Sequence, residues 1–276
     1  MSVCHKKLDK FRLYEVSSQK DCGKTNLLFQ QPITKRGVEQ ARALGRTNLI
    51  RETCFQRYYT SDITRAVQTA QLVLDTACRI EDGEGDASMI RLEPRLREMA
   101  KGAREGQPKS VSYEQALLLR QNVNADVPLR ETEDEAWDRI HAFLRDLLEE
   151  YSSQTCRTSS PDDDNRPSQQ SSTITNPCCI FIMSHSALLR ICLRRLIGDE
   201  HLYQHPEARF DAAGHFYIPN TSVTILDVGG RQDETTPLHN ASASTATTQH
   251  NFHVTIVQLT CANHLGETNS QAAYAE

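Results

Sequence analysis

Cys178-Cys179-Ile180-Phe181-Ile182-Met183-Ser184-His185-Ser186-Ala187-Leu188-Leu189-Arg190 is the stretch on which the reading of the fold turns. Its first half is a short unbroken apolar run, the pattern of a strand buried on both faces of a sheet. From Ser186 to Ile197, apolar residues recur at Leu188, Leu189, Cys192, Leu193 and Leu196, which is helical spacing. A polar His185 sits at the joint. The imidazole therefore stands at the carboxyl end of a central strand and the amino end of a helix. Open α/β sheets bind ligands there, and a helix start favours an anion. A histidine that merely satisfies a strand-end carbonyl would read the same way in this stretch.

Working outward, Phe11 to Val16 reads as a short strand, and Thr34 is a good N-cap for a helix running to about Leu49. Gln56 to Thr60 is a second strand, leading through Ser61-Asp62-Ile63-Thr64-Arg65 into a helix with Ile63, Ala66, Val67, Ala70, Val73 and Leu74 on one side. A Gly/Asp-rich loop (81–87), a brief apolar segment (Met89 to Leu92) and a turn-rich region with Leu96-Arg97-Glu98 follow. Tyr113 to Arg120 looks helical. Glu131-Thr132-Glu133-Asp134-Glu135 opens the clearest helix, its acidic first turn complementing the dipole ahead of an apolar face from Trp137 to Leu148. Beyond the central unit, Thr221 to Val228 and Phe252 to Leu259 read as strands.

Strands alternating with helices at this rhythm predict a three-layer α/β/α domain with a mostly parallel central sheet. One domain spanning 1–276 is expected, with disordered polar insertions at about 152–177 and 229–248 that are too poor in apolar residues to fold alone. With 276 residues and 38% hydrophobic content, the chain can bury one sizeable core. A net charge of −5 without a basic stripe argues against a nucleic-acid partner, and no apolar run is long enough for a membrane span. Nine cysteines, an odd number without a Cys-x-x-Cys pair, fit reduced thiols in a cytosolic or nuclear compartment, and a cytoplasmic location is expected. Histidines and cysteines are scattered, not spaced as ligands, so no metal and no cofactor is expected.

Strand ends thus deliver Arg65, Glu98 and His185. An arginine just inside a helix can hold a phosphate through charge-assisted bonds. A glutamate in a turn-rich loop can serve as a general acid, and a histidine at a helix start can donate to a phosphoryl oxygen or attack it. Gly23-Lys24-Thr25 after a strand offers a rival, the end of a phosphate-binding P-loop, but Ser18 stands where that pattern wants a glycine and Pro32 interrupts the following helix.

The blocks Thr34-Lys35-Arg36-Gly37-Val38-Glu39-Gln40-Ala41, Ser61 to Ala70, Leu96-Arg97-Glu98, Gly102 to Gly106, Ser184-His185-Ser186 and Pro219-Asn220-Thr221-Ser222 resemble, in this order, the histidine phosphatase (phosphoglycerate mutase-like) superfamily. The insertions, and the ending Cys261-Ala262-Asn263-His264-Leu265, resemble most the TIGAR-type fructose-2,6-bisphosphatases. That resemblance implies a phosphoglycerate mutase-like fold and a small phosphorylated substrate such as a sugar bisphosphate. It also implies that Arg65 and Asn220 hold the phosphoryl group, that Glu98 protonates the leaving oxygen, and that His185 stabilises the transferring phosphate.

One block is missing. The family opens with Arg-His-Gly, whose histidine takes the phosphoryl group, and this chain has no such triplet. Counting back without gaps from Pro32 reaches Arg12-Leu13-Tyr14-Glu15, which supplies Arg12 as a phosphate ligand and puts Leu13 where the nucleophile belongs. A gapped register makes His5 the nucleophile, with Cys4 in place of the arginine and Lys6 in place of the glycine. The gap-free register fits the strand pattern better. The chain is accordingly expected to be a phosphatase, impaired at its nucleophile, or else a pseudophosphatase that binds a phospho-ligand or a protein partner without turnover. On the same reading, deleting residues 158–173 leaves the midpoint of thermal unfolding nearly unchanged; a cooperative loss of folding would show that the insertion belongs to the core.

Overall fold

The computed structural model describes residues 10–18, 32–78, 89–108, 110–122, 129–154, 178–211, 214–230 and 252–266, with 10–18, 152–154, 230 and 252–253 as backbone. In chain order the elements are β1 (Lys10–Ser18), α1 (Lys35–Gly45), α2 (Asn48–Glu52), β2 (Phe55–Thr60), α3 (Thr64–Cys78), β3 (Ile90–Leu92) and α4 (Tyr113–Gln121). Then come α5 (Glu133–Gln154), β4 (Cys178–His185), α6 (Ser186–Ile197), α7 (Asp199–Gln204), β5 (Val223–Gly230) and β6 (Phe252–Cys261). Short 3₁₀ turns fall at Pro94–Leu96, Gly102–Arg104 and Asn263–Leu265. The six strands form one sheet in the order β3-β2-β4-β1-β5-β6. Pairing is parallel across β3, β2, β4 and β1, and antiparallel from β1 to β5 and from β5 to β6.

The apolar run of β4 is buried on both faces. Ile180, Phe181, Ile182 and Met183 are each at most 1% exposed, and the period-2 alternation of a strand divides them between two cores. Ile180 and Ile182 join Phe143, Leu144 and Leu147 of α5 and Leu188, Leu189 and Leu193 of α6. Phe181 and Met183 join Ala41 and Leu44 of α1 and Ala66, Ala70 and Val73 of α3. The result is the expected three layers, α1 to α3 on one side of the sheet and α5 with α6 on the other.

Helix ends follow their caps. The Thr34 side chain accepts from Gly37 N at 3.0 Å and starts α1. The helix stops at Gly45 and not near Leu49, because the Thr47 hydroxyl donates to Leu44 O at 2.7 Å and accepts from Ile50 N, ending one helix and capping the next. At α5, Thr132 forms a capping box with Glu135, so the helix begins at Glu133, and Glu131 turns aside to pair with Arg139. The short α7 was not foreseen; six residues carry too little periodicity to read.

Of the expected insertions, residues 152–154 instead finish α5 and 229–230 finish β5; residues 155–177 and 231–248 lie outside the described residues. So do the loop 81–87, the P-loop candidate Gly23-Lys24-Thr25, and His5. No described helix is long and apolar enough to cross a membrane.

Where α1 meets α3, a Cβ on Gly45 would lie 2.4 Å from the Val73 carbonyl oxygen. Alanine gains about 1 kcal/mol of helix propensity, but forcing a backbone apart costs about 1–3 kcal/mol. Gly45→Ala is therefore expected to lower stability in urea unfolding, the reverse of what propensity alone dictates.

Candidate active site

The carboxyl ends of β2 and β4 lie side by side, tied by Ser61 N donating to Met183 O at 2.9 Å. From β2 the chain turns through Ser61 and Asp62 into α3, which brings Arg65 onto its first turn; from β4 it passes through His185, the N-cap residue of α6. The loop carrying Glu98 is fastened to the same edge by Ser184 Oγ donating to Leu96 O at 2.9 Å and by Glu93 N donating to Thr60 O at 2.8 Å. Arg97 clamps Asp62 through two parallel bonds, Nε to Oδ1 at 2.6 Å and Nη2 to Oδ2, which join the Arg65 loop to the Glu98 loop.

Arg65, Glu98 and His185 are 2%, 5% and 1% exposed, so three groups able to carry charge lie out of water together. Arg65 Nη2 is 3.2 Å from His185 Nδ1, and His185 Nε2 is 2.9 Å from Ser61 Oγ. A guanidinium can only donate, so Nδ1 is the acceptor, the ring proton sits on Nε2, and Ser61 Oγ receives it. Ser61 Oγ also receives the Ile63 amide at 3.3 Å. Glu98 Oε1 accepts from Met99 N at 3.1 Å. Burial pulls the Arg65 guanidinium below its ordinary pKa, and the nearby Glu98 charge opposes that shift. The Arg97 hydrogen bond holds the Asp62 carboxyl below the usual carboxylate range.

The structure thus brings Arg65 and His185 into contact and sets Glu98 within electrostatic reach of Arg65. Asn220 stands in the turn just before Val223, which pairs with Val16 of β1, itself paired with Met183; this puts Asn220 at the same carboxyl edge. Arg12 and Leu13 do not reach that edge. The β1–β4 register sets Arg12 beside Cys179, Leu13 beside Ile180 and Ser18 beside His185. Six residues of strand separate Arg12 from Ser18, ~20 Å of backbone. The gap-free count placed these residues by chain length, whereas strand pairing places them in space. Sequence reasoning also missed Ser61 and the Asp62–Arg97 clamp as working residues, although both fall inside the quoted blocks. Among the described residues no cluster of three or more His, Cys, Asp or Glu side chains could hold a metal ion.

On the far side of Asn220, Thr221 is fully buried at φ 55°, a left-handed conformation costing a β-branched residue about 1–2 kcal/mol. Its Oγ1 donates to Asn220 O at 2.8 Å and lies 3.0 Å from His264 Nε2. Burial pushes His264 down to about 4.

The sequence model of the histidine phosphatase superfamily (branch 1) matches residues 29–158. No curated protein matches the chain in sequence. Solved structures of similar fold include phosphoglycerate mutase from Bacillus anthracis str. Sterne, with a TM-score of 0.51 and 17% identity over 98% of each chain. Mycobacterial hydrolase 2 superposes with a TM-score of 0.55 and 13% identity over 97% of each chain. A mycobacterial glucosyl-3-phosphoglycerate phosphatase gives 0.52 and 15% identity over 92% of this chain and 99% of its own. The fold is phosphoglycerate mutase-like, and the superfamily model matches just under half of the chain.

His264 makes a pH signature. Its folded pKa of about 4 lies below its ordinary 6.5, so the unfolded chain binds the proton more tightly. The resulting stability is fully present above 6.5 and is lost as pH falls towards 4, at most ~3 kcal/mol. Replacing His264 by Gln is expected to flatten the pH dependence of the urea midpoint across that window, by comparison with the unaltered chain.

Proposed function

We propose that the Arg65–Glu98–His185 constellation is a phosphoryl-binding site and that the protein is a phosphatase acting on a small phosphorylated metabolite. A sugar bisphosphate such as fructose 2,6-bisphosphate is the substrate class that the sequence resemblance favours. The observation that carries this reading is the buried contact between Arg65 and His185 at the start of α6. A buried guanidinium is costly, and apolar packing would fill the same space at lower cost. An incoming phosphate offers Arg65 a better acceptor than a neutral ring nitrogen, and the α6 amino end adds its dipole. In this role Arg65 and Asn220 hold the phosphoryl oxygens, His185 stabilises them by donating from Nδ1 once Arg65 has turned to the phosphate and the ring is protonated, and Glu98 protonates the leaving oxygen. The mycobacterial phosphatase of similar fold has been solved in complex with inorganic phosphate, which agrees with such a site. The whole chain then serves as one domain around this edge, and cysteines that form no disulfide among the described residues fit a cytoplasmic setting.

A second reading rests on a specific observation. The residue beside His185 in the ladder is Ser18, and β1 contains no histidine. Covalent catalysis divides the displacement into two easier steps, and without an imidazole at that position the first is missing. The chain then binds a phospho-ligand or a protein partner with little turnover.

Inorganic phosphate titrated calorimetrically into the full chain is expected to bind, and Arg65→Ala or His185→Ala to weaken it by more than about tenfold. Absence of phosphate binding in the unaltered chain would refute the site. Labelled fructose 2,6-bisphosphate, quenched and searched for acid-labile phosphate, separates the two readings. Label on His5 that vanishes in His5→Ala establishes covalent turnover; no label, with phosphate binding intact and turnover raised by Ser18→His, establishes the impaired form.

A further inference from the structure

We infer that His264 is a positioning residue for the candidate phosphate site, acting through Thr221 on the turn that presents Asn220; the inference rests on the site proposed above. The bonding admits one direction. Asn220 O can only accept, so the single Thr221 hydroxyl proton goes to it, across 2.8 Å. His264 Nε2, 3.0 Å from the same hydroxyl oxygen, must then supply a proton and donate. The chain of bonds runs from the His264 ring through the Thr221 hydroxyl to the Asn220 carbonyl, and it fixes the peptide plane after Asn220.

A second observation, independent of that bonding, marks the same corner. Among the described residues, the non-glycine positions with left-handed backbone are Thr221 at φ 55° and Thr260 at φ 42°. They flank one junction: Cys261, next to Thr260, pairs with Val223, two residues after Thr221. Strain of this kind persists only where surrounding structure over-determines it, and it gathers where geometry serves a function. The Ser222 hydroxyl beside it is 1% exposed and has no hydrogen-bond partner among the described residues, so the turn carries a buried polar group that packing does not explain. The His264 turn, Asn263–Leu265, also packs against α1, with Leu265 buried. His264 thereby couples the last described turn of the chain to the edge where His185 and Arg65 meet.

The test compares His264→Leu, His264→Gln and Thr221→Val in the full chain. Gln places an amide N–H near the position of Nε2, so it restores the donor that Leu removes. Inorganic phosphate affinity is measured by calorimetry, and amide hydrogen exchange at Thr221 and Ser222 by NMR, alongside thermal midpoints. Leu and Val are expected to weaken phosphate binding about tenfold and to speed exchange in the turn, with Gln returning both close to the unaltered values. Should His264→Leu fail to fold, Thr221→Val and His264→Gln still break and preserve the same chain of bonds. A lowered thermal midpoint with unchanged phosphate affinity and unchanged exchange would overturn the inference, since His264 would then only pack. If the unaltered chain binds no phosphate, the site proposal falls by itself. The exchange data then decide whether His264 orders the Asn220 turn: loss in Leu with recovery in Gln upholds it, and no change refutes it.

Discussion

A guanidinium and an imidazole meet in a nearly water-free space where β4 becomes α6, and the surrounding structure answers to that contact. Burying Arg65 carries a desolvation cost of several kcal/mol, which a neutral imidazole acceptor offsets only in part. Glu98, on a separate loop, supplies the opposing charge. Two loops must then be held in fixed relation, and three restraints do this: the Asp62–Arg97 clamp, Ser184 on Leu96 O, and Ser61 on Met183 O. Without them the two charges could separate and each would seek water. An anion entering at this edge would give Arg65 a further partner, which is the basis of the phosphoryl site proposed above.

Rigid supports lie behind these loops. Arg139 of α5 donates to Arg95 O at 2.6 Å, and Arg95 reaches Asp146 on the same helix, so the segment leading to Glu98 is braced against the α5 layer. On the opposite face α3 is pressed against α1 closely enough that Gly45 has no room for a side chain. The sheet edge is therefore gripped from both layers, and the polar groups stand on elements whose positions are set by apolar packing.

Strand β1 gives the site its ambiguity. It lies between β4 and β5, in the middle of the sheet, and its last residue is the ladder partner of His185. The residue paired with His185 in that ladder is Ser18, and β1 contains no histidine. The same ladder moves Arg12 and Leu13 well away from the edge and so removes the gap-free reading of the first block.

Local patterns in the sequence sufficed for the β4–α6 unit, the Thr34 cap and α5, and for placing Arg65 and His185 at strand ends, because apolar runs, helical spacing and capping hydroxyls act over a few residues. The break at Thr47 was within reach of the same reasoning, since a threonine that bonds backward to Leu44 O and forward to Ile50 N is a local event. Register was not. Lys10–Ser18 pairs with Cys178–His185 across more than a hundred and fifty intervening residues, and nothing in either strand's own pattern states which residue ends beside His185. The same holds for Ser61 on His185 Nε2, for Arg97 on Asp62, and for His264 on Thr221: each joins groups far apart in the chain. Sequence by itself determined which strands and helices form and which layers they make. Tertiary structure decided which of them meet, because strand pairing and loop closure are set by the packing of the whole core and not by any segment of it.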